Sequence, residues 1–155
     1  MATGGRRPGR AGAVVDLGIE GIGRATRVGK GGFGVVYRAR QEAFDRTVAV
    51  KVLSVPDGDR DAHRQFEREC RSIGSLSGHP NIVAVHGSGY TPNGDAYLVM
   101  DYLAAGSLAD RLERDGPLPP AEVAAIGVKL AGALAAAHAA GVLHRDLKPD
   151  NVLVS

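Results

Sequence analysis

Residues 144–151 read HRDLKPDN and carry more chemical information than any other stretch of this 155-residue chain. Apolar residues precede and follow them, so this charged loop connects two segments that we expect to be buried. Asp146 can orient a substrate hydroxyl and accept its proton, and Lys148 can neutralise charge on a transferring phosphoryl group. The side-chain oxygen of Asn151 can coordinate Mg²⁺. A chance surface loop would show this polarity but rarely this order, so the stretch predicts phosphoryl-transfer chemistry.

A glycine-rich pattern, G-x-G-x-x-G, lies closer to the N-terminus. It consists of Gly29, Lys30, Gly31, Gly32, Phe33 and Gly34. The pattern alone is weak, because dinucleotide-binding folds use the same spacing and follow it with a helix. Here strand-like residues at 35–37 follow Gly34, which favours a loop between two strands. Such a loop can fold over a triphosphate and offer backbone N–H groups where a Cβ would collide. An ordinary glycine-rich turn remains the alternative.

A lysine interrupts the apolar run VAVKVL at residues 48–53. Strand alternation places Ala49 and Lys51 on one face and three valines on the other. Burial of an unpaired ammonium group is costly, so Lys51 is expected to be paired or functional. Glu69 follows Phe66 by three residues in the next helix, and we predict that it lies on the inward side as the partner of Lys51. The pair would position Lys51 to hold phosphate oxygens. The alternative is a surface helix with an incidental glutamate.

Secondary-structure signals divide the chain into a β-rich part and a helical part. Residues 1–17 predict a flexible tail, because Gly, Pro and Arg dominate their first part. Strands are predicted at 35–40, 47–53, 82–85 and 96–102, and a helix of about 18 residues follows the turn at 56–59. Ser107 is the expected N-cap of a short helix. A longer helix is predicted from about Pro120 to Ala140, with Gly141 as its C-terminal stop.

Composition argues against several classes of function. The formal net charge of +2 is too small to indicate nucleic acid as a partner. The most apolar stretch, residues 130–143, falls short of the roughly 20 apolar residues of a membrane span. Cys70 is the only cysteine, so neither an internal disulfide nor a cysteine-based zinc site is possible. A reducing cytoplasm is consistent with this.

Taken together, these motifs resemble the protein kinase superfamily, because they occur in that family's order. The Lys148-Pro149 pair is similar to the serine/threonine branch, and the segments at 79–83 and 98–103 look like bacterial eukaryotic-like kinases. The resemblance runs from about Ile19 to Ser155. It implies an α+β, protein-kinase-like fold in residues 18–155. An antiparallel β-rich N-lobe with one helix would occupy residues 18–102. The hinge, the first helices and the catalytic loop of a helical C-lobe would occupy 103–155.

The resemblance also implies the ligands and their contacts. ATP and Mg²⁺ would be the cofactors, and Ser or Thr hydroxyls of proteins would be the acceptors. Met100 would be the gatekeeper behind the adenine. The carbonyl of Asp101 and the N–H of Leu103 would bond the adenine edge, and Val36 and Ala49 would pack on its faces. Asp101 stands where glutamate is commoner in the family, a departure that leaves the backbone contacts intact.

The family's Asp-Phe-Gly, activation-loop and Ala-Pro-Glu segments would lie beyond Ser155. We therefore expect these 155 residues alone to have negligible phosphotransfer activity and to aggregate through an exposed apolar stripe on the long helix. A non-catalytic nucleotide-binding or regulatory module is an alternative. Such modules generally lack the lysine, the catalytic aspartate or a metal ligand, whereas Lys51, Asp146 and Asn151 are all present here. A small-molecule kinase is a weaker alternative. The expected location is the cytoplasm, with the option that this segment is the cytoplasmic part of a membrane-anchored chain.

Overall fold

The computed structural model describes residues 12–31, 34–53 and 60–155. These residues fall into two compact units. The first comprises the described residues up to 59 together with 87–100, and we call it the sheet unit. The second comprises 60–86 together with 101–155, and we call it the helical unit.

Within the described residues, six strands form one sheet in the order β1-β2-β3-β4-β6-β5. Their bounds are β1 (Val14–Val15), β2 (Ala25–Gly31), β3 (Gly34–Gln41), β4 (Arg46–Leu53), β5 (Val85–Tyr90) and β6 (Ala96–Asp101). The first four strands pair antiparallel with their sequence neighbours. The predicted strands 35–40, 47–53 and 96–102 are therefore confirmed to within two residues at each end.

Three α-helices lie in the helical unit: α1 (Arg60–Gly74), α2 (Leu108–Asp115) and α3 (Pro120–Ala139). The Ser107 cap is confirmed, because its hydroxyl accepts a hydrogen bond from the N–H of Asp110 at 3.1 Å. The Asp110 carboxylate in turn accepts from the N–H of Ser107 at 2.8 Å, which completes a capping box. At the end of α3, Gly141 adopts a φ of 74°, the left-handed conformation that stops a helix.

One face of the sheet carries the core of the sheet unit. Val48 and Val50 of β4 are fully buried and cluster with Ala39 of β3 and Val99 of β6. β-Branched side chains pack well on such a pleated surface, which explains why this stretch forms the central strand. Alternation therefore turns Ala49 and Lys51 toward the opposite face, as the sequence predicts.

The predicted flexible tail of residues 1–17 is wrong for its described part. Val14–Val15 pair with β2, and both Val15 and Leu17 pack against the core of the sheet unit. Ile19 and Ile22 are buried in the same cluster. Apolar residues at 15, 17, 19 and 22 bury enough surface to order this segment despite the glycines around it. Residues 1–11 lie outside the described part of the chain.

The strand predicted at 82–85 is misplaced, because β5 begins only at Val85 and continues through glycines to Tyr90. The apolar residues 82–84 precede it. β5 is the last strand in the sheet order and contacts one neighbour. An edge strand depends on backbone hydrogen bonds with that neighbour more than on side-chain packing, so it tolerates Gly87 and Gly89, which hide it from a pattern search.

By length and composition, α3 is the only helix in the described residues that could cross a membrane. From residues 130–143 alone, the sequence predicts the helix but no membrane span. Apolar helices of globular proteins share this length and composition with membrane spans.

Candidate functional site

The loop at residues 144–151 is anchored to the N-terminus of α2 within the helical unit. The N–H of Leu108 donates to the carbonyl of Val152 at 2.7 Å, and the N–H of Val154 donates to the carbonyl of Gly106 at 2.9 Å. Between these bonds, Ser107 and Leu153 form an isolated antiparallel bridge. The apolar residues after the loop thus form a short bridge rather than a full strand. Their role is to fix the end of the loop.

Inside this loop two of the three predicted residues converge on the carboxylate of the third, Asp146. The ammonium Nζ of Lys148 lies 2.9 Å from Oδ2 of Asp146. Nδ2 of Asn151 donates to the same Oδ2 at 3.1 Å and to the backbone carbonyl of Asp146 at 2.7 Å. A 3₁₀ turn at Pro149–Asn151 brings Asn151 back toward Asp146. The structure therefore brings together Asp146, Lys148 and Asn151.

The asparagine is oriented by these bonds in a way that suits a magnesium ligand. Both groups of Asp146 that face the amide are acceptors, so the NH₂ end of Asn151 must point at them. The amide oxygen Oδ1 is then the atom that remains to coordinate a hard cation. The described parts of the chain contain no group of three or more His, Cys, Asp or Glu side chains placed to hold a metal. The Asn151 amide oxygen has the donor chemistry that Mg²⁺ prefers.

Hydrogen bonding shifts the pKa of both charged residues. The hydrogen bond from Lys148 is the main cause that lowers the pKa of Asp146, and the bond from Asn151 acts in the same direction. The same bond to Asp146 raises the pKa of Lys148. At neutral pH the pair is therefore an ammonium bonded to a carboxylate, and Asp146 is in the ionised form that a proton acceptor requires.

Arg145 has a backbone conformation that the sequence does not reveal. Its φ is 61°, in the left-handed region that side chains other than Gly, Asn and Asp seldom adopt. The N–H of Asp146 donates to the carbonyl of His144 at 2.8 Å across this residue, which closes a tight turn. Strain of this kind persists only where the surrounding structure holds it, and it is common at functional sites. Here it turns the backbone at the residue before the candidate base.

The glycine pattern lies on a β-hairpin in the sheet unit, as predicted, and no helix follows it. Gly29 pairs with Val36, Lys30 with Val35 and Gly31 with Gly34, after a bulge in β2. Gly32 and Phe33, which were predicted to contact the cofactor, lie outside the described residues. The dinucleotide-binding alternative requires a helix after the last glycine. Because strand β3 follows instead, that alternative is excluded.

Gly34 has a structural reason to be glycine that the sequence did not suggest. Its φ of 134° lies outside the range of other residues, and a Cβ at this position would overlap the carbonyl oxygen of Val52. By contrast, a Cβ at Gly29 would meet only Val36, at an ordinary 3.9 Å. The close approach of β3 to β4 therefore requires Gly34 before any ligand is considered.

The face of the sheet opposite the core carries the other predicted residues of the sheet unit. Val36 and Lys51 are direct partners across β3 and β4, and Ala49 is buried two residues before Lys51. Because Val99 belongs to the core cluster, Met100 is turned to this second face as well. Burial lowers the pKa of Lys51. The sheet thus places a partly desolvated ammonium beside apolar side chains.

The inward position predicted for Glu69 is wrong. Glu69 is exposed on α1 and accepts a hydrogen bond from Nε2 of Gln65 at 3.0 Å. Phe66 is the buried side chain of this helix. Three residues at about 100° each place Glu69 roughly 60° around the helix from Phe66, which is enough to reach solvent. The ion pair between Lys51 and Glu69 stays a prediction.

The residues predicted to bond the adenine edge begin where β6 ends. Asp101 is the last residue of β6, and its N–H donates to the carbonyl of Ala84 at 3.1 Å. Oδ1 of its carboxylate lies 2.7 Å from Nε2 of His86 on β5. The carbonyl of Leu103 accepts from the N–H of Gly106 at 3.3 Å. Sequence reasoning missed His86, because it lies fifteen residues from Asp101 and shares no motif with it.

Comparison with known proteins identifies the family. The family model described as "Protein kinase domain" matches residues 23–155. This chain belongs to the protein kinase family. The match includes α3, so this apolar helix is part of the kinase domain.

Curated relatives agree with the assignment. The chain is 53% identical over 135 residues to the serine/threonine-protein kinase PknK of Mycobacterium tuberculosis, covering 87% of this chain and 12% of that protein. It is 42% identical to the serine/threonine-protein kinase PknE of Mycobacterium bovis, covering 83% of this chain and 22% of that protein. The resemblance to bacterial serine/threonine kinases is therefore confirmed. The chain spans less than a quarter of the length of either relative.

Solved structures confirm the fold. The kinase domain of PknI from Mycobacterium tuberculosis matches with a TM-score of 0.75 at 34% identity, over 90% of this chain and 57% of that one. A cysteine-to-alanine mutant of the same domain matches with the same TM-score over 91% of this chain and 58% of that one. The protein-kinase-like fold that the motifs implied is thus confirmed.

Proposed function

We propose that this kinase domain binds ATP and contributes to transfer of its γ-phosphoryl group to Ser or Thr hydroxyls of proteins. The observation that carries the proposal is the convergence of Lys148 and Asn151 on the carboxylate of Asp146. A carboxylate held ionised in this way can accept a hydroxyl proton. The ammonium beside it can stabilise the charge that develops on the phosphoryl group.

The residues have separate roles in this proposal. Asp146 orients the acceptor hydroxyl and takes its proton, and Lys148 neutralises charge next to it. Lys51 holds phosphate oxygens, while Val36, Ala49 and Met100 provide the apolar contacts for adenine. The glycine pattern at 29–34 supplies backbone N–H groups that donate hydrogen bonds to the phosphates. The carbonyl of Asp101 and the N–H of Leu103 bond the adenine edge.

Magnesium belongs to the proposal through Asn151, whose Oδ1 would be one of its ligands. When bound, Mg²⁺ neutralises charge on the β- and γ-phosphates. Oxygen ligands such as the Asn151 amide are those that this hard cation prefers.

The test is the substitution Asp146→Asn in the whole natural protein that contains this chain. An amide keeps the shape but cannot accept the hydroxyl proton. We expect phosphoryl transfer from γ-labelled ATP to a general protein acceptor to fall by about 10²–10⁴-fold. ATP affinity measured by calorimetry should stay unchanged. Asp150→Asn, an exposed neighbour in the same turn, is the matched control and should leave transfer unchanged.

Full transfer activity in the D146N protein would contradict the role of Asp146. Failure of the wild-type protein to bind ATP would contradict the proposal as a whole. ATP binding without phosphoryl transfer in the wild-type protein would contradict the proposed transfer activity. It would favour the alternative, a non-catalytic nucleotide-binding module.

The proposal includes a cytoplasmic location for this domain, as itself or as the cytoplasmic part of a membrane-anchored protein. A single cysteine and the need for ATP support it. Cell fractionation with an antibody against the domain tests the location. Recovery of the domain outside the cytoplasmic membrane would contradict it.

A further inference from the structure

Asp101 is bound to His86 by a short hydrogen bond within the helical unit. Nε2 of His86 lies 2.7 Å from Oδ1 of Asp101, and the imidazole is 18% exposed. A carboxylate can only accept, so Nε2 carries the proton and donates it. The bond therefore needs no positive charge on the imidazole. Partial burial of the histidine limits the competition from water for this bond.

The backbone of Asp101 is held as well. Its N–H donates to the carbonyl of Ala84 at 3.1 Å, so the end of β6 is joined to the neighbouring segment by main chain and side chain together. Leu103 follows two residues later, and its carbonyl accepts from Gly106 at 3.3 Å. The peptide groups from Asp101 to Leu103 are thus restrained on both sides. Without His86, the exposed Asp101 side chain would lose this contact and the N-terminal restraint would rest on backbone hydrogen bonds alone.

We propose that His86 is a positioning residue for adenine recognition. By holding the carboxylate of Asp101, it keeps the Asp101 carbonyl and the Leu103 N–H in the directions that the adenine edge requires. This inference rests on the proposed function and adds to it a residue outside the segment that touches the base. Groups that are already ordered before binding lose less entropy when the ligand arrives, which increases affinity. The pairing also gives the side chain of Asp101 a role, which is to accept the hydrogen bond from His86.

The proposal is tested with two probes on the full natural protein in Mg²⁺ buffer. ATP reports the adenine and phosphate contacts together, and inorganic tripolyphosphate reports the phosphate contacts alone. We expect His86→Ala to weaken ATP binding by roughly three- to tenfold, the effect of one lost hydrogen bond. Binding of tripolyphosphate should stay within about twofold of wild type. His86→Gln, whose Nε2 can donate to the same carboxylate, should restore ATP binding.

A double-mutant cycle separates this mechanism from an independent effect of either residue. If His86 acts through Asp101, then Asp101→Ala should weaken ATP binding about as much as H86A, and the double variant should be no weaker than either single variant. Asp101→Asn keeps an acceptor oxygen and should bind ATP like wild type. If H86A does not fold, the comparison of ATP affinity between D101A and D101N tests the proposal instead.

Arg111→Ala is the matched control, because it breaks a different polar contact in the helical unit, the 2.5 Å ion pair with Glu122. It should change neither the affinity for ATP nor the affinity for tripolyphosphate. Equal ATP affinity in H86A and wild type would overturn the inference and leave the proposed function standing. A parallel loss of ATP and tripolyphosphate binding would also overturn it, because that pattern indicates a structural role. Failure of the wild type to bind ATP would overturn the proposed function and the inference with it.

Discussion

At the scale of single residues, the environment of Asp146 determines its charge. Two hydrogen-bond donors from its own loop, Lys148 and Asn151, face its carboxylate. All three lie within six residues of sequence, so their convergence depends mainly on the turn at 149–151. This is why the sequence alone could single out the three residues, although it did not predict their contacts. The direction of the Asn151 amide and the left-handed backbone of Arg145 could be seen only in the structure. Both are set by the positions of individual hydrogen-bonding atoms, which the order of residues does not specify.

Lys148→Ala should raise the pKa of Asp146, because the hydrogen bond from Lys148 is the main cause that lowers it. The folded-state pKa of Asp146 lies below its ordinary value near 3.8. The stability that Asp146 contributes is therefore complete above that value and is lost as pH falls through the lower folded-state pKa. In K148A this loss should be smaller and should be complete at a higher pH. NMR titration of the Asp146 carboxyl carbon measures the shift.

Lys129→Ala serves as the control for this titration, because Lys129 is an exposed lysine on α3. It should leave the titration midpoint of Asp146 where it is in the wild type. An unchanged midpoint in K148A would show that the Lys148 bond does not persist in solution.

At the scale of the elements, the hairpin of β2 and β3 shows how one glycine can serve the backbone itself. Gly34 begins β3 in a conformation with φ of 134° and lies against the carbonyl of Val52. The sequence pattern suggested a reason for this glycine in ligand binding. The structure adds a reason in folding, and the two can be separated by experiment because they act on different measurements.

Gly34→Ala should destabilise the chain by about 2 kcal/mol or more, because it combines backbone strain with an overlap that only a shift of β4 can relieve. Chemical denaturation followed by circular dichroism measures the loss. Gly29→Ala is the matched control: its Cβ would meet Val36 at an ordinary contact distance, so its free energy of unfolding should change by less than about 1 kcal/mol. Equal stability of G34A and G29A would contradict the structural role of Gly34.

At the scale of the whole molecule, each unit has its own pattern of burial. In the sheet unit, one face of the sheet is packed by valines, isoleucines and alanines. In the helical unit, α3 buries Ala133 and Ala137, while Val123 and Val128 are exposed. The stability measured for this chain should therefore depend on the core of the sheet unit far more than on the apolar residues along α3.

Val50→Ala should reduce the free energy of unfolding by about 2 kcal/mol, because Val50 is fully buried and its loss leaves a cavity. The control is Val128→Ala, the same change at a side chain that is 74% exposed, with an expected effect within about 0.5 kcal/mol. Thermal and denaturant unfolding of both variants compare them. A larger effect at Val128 would show that α3 packs against something in solution.

The sequence by itself determined those features that depend on neighbours along the chain. These are the alternation of β4, the cap at Ser107, the stop at Gly141 and the short range of the polar cluster in the loop at 144–151. The order of its motifs was also sufficient to identify the family. Each such feature follows from spacing within one turn, one strand or one helix.

Only the tertiary structure decided what depends on residues far apart in the chain. It ordered Val14–Val15 against β2, moved Glu69 into solvent, placed the Val52 carbonyl against Gly34 and joined His86 to Asp101. The physical reason is that local spacing specifies which face a side chain takes on its own element. Which neighbour it then meets is set by strand order and by the total burial that the packed chain can achieve.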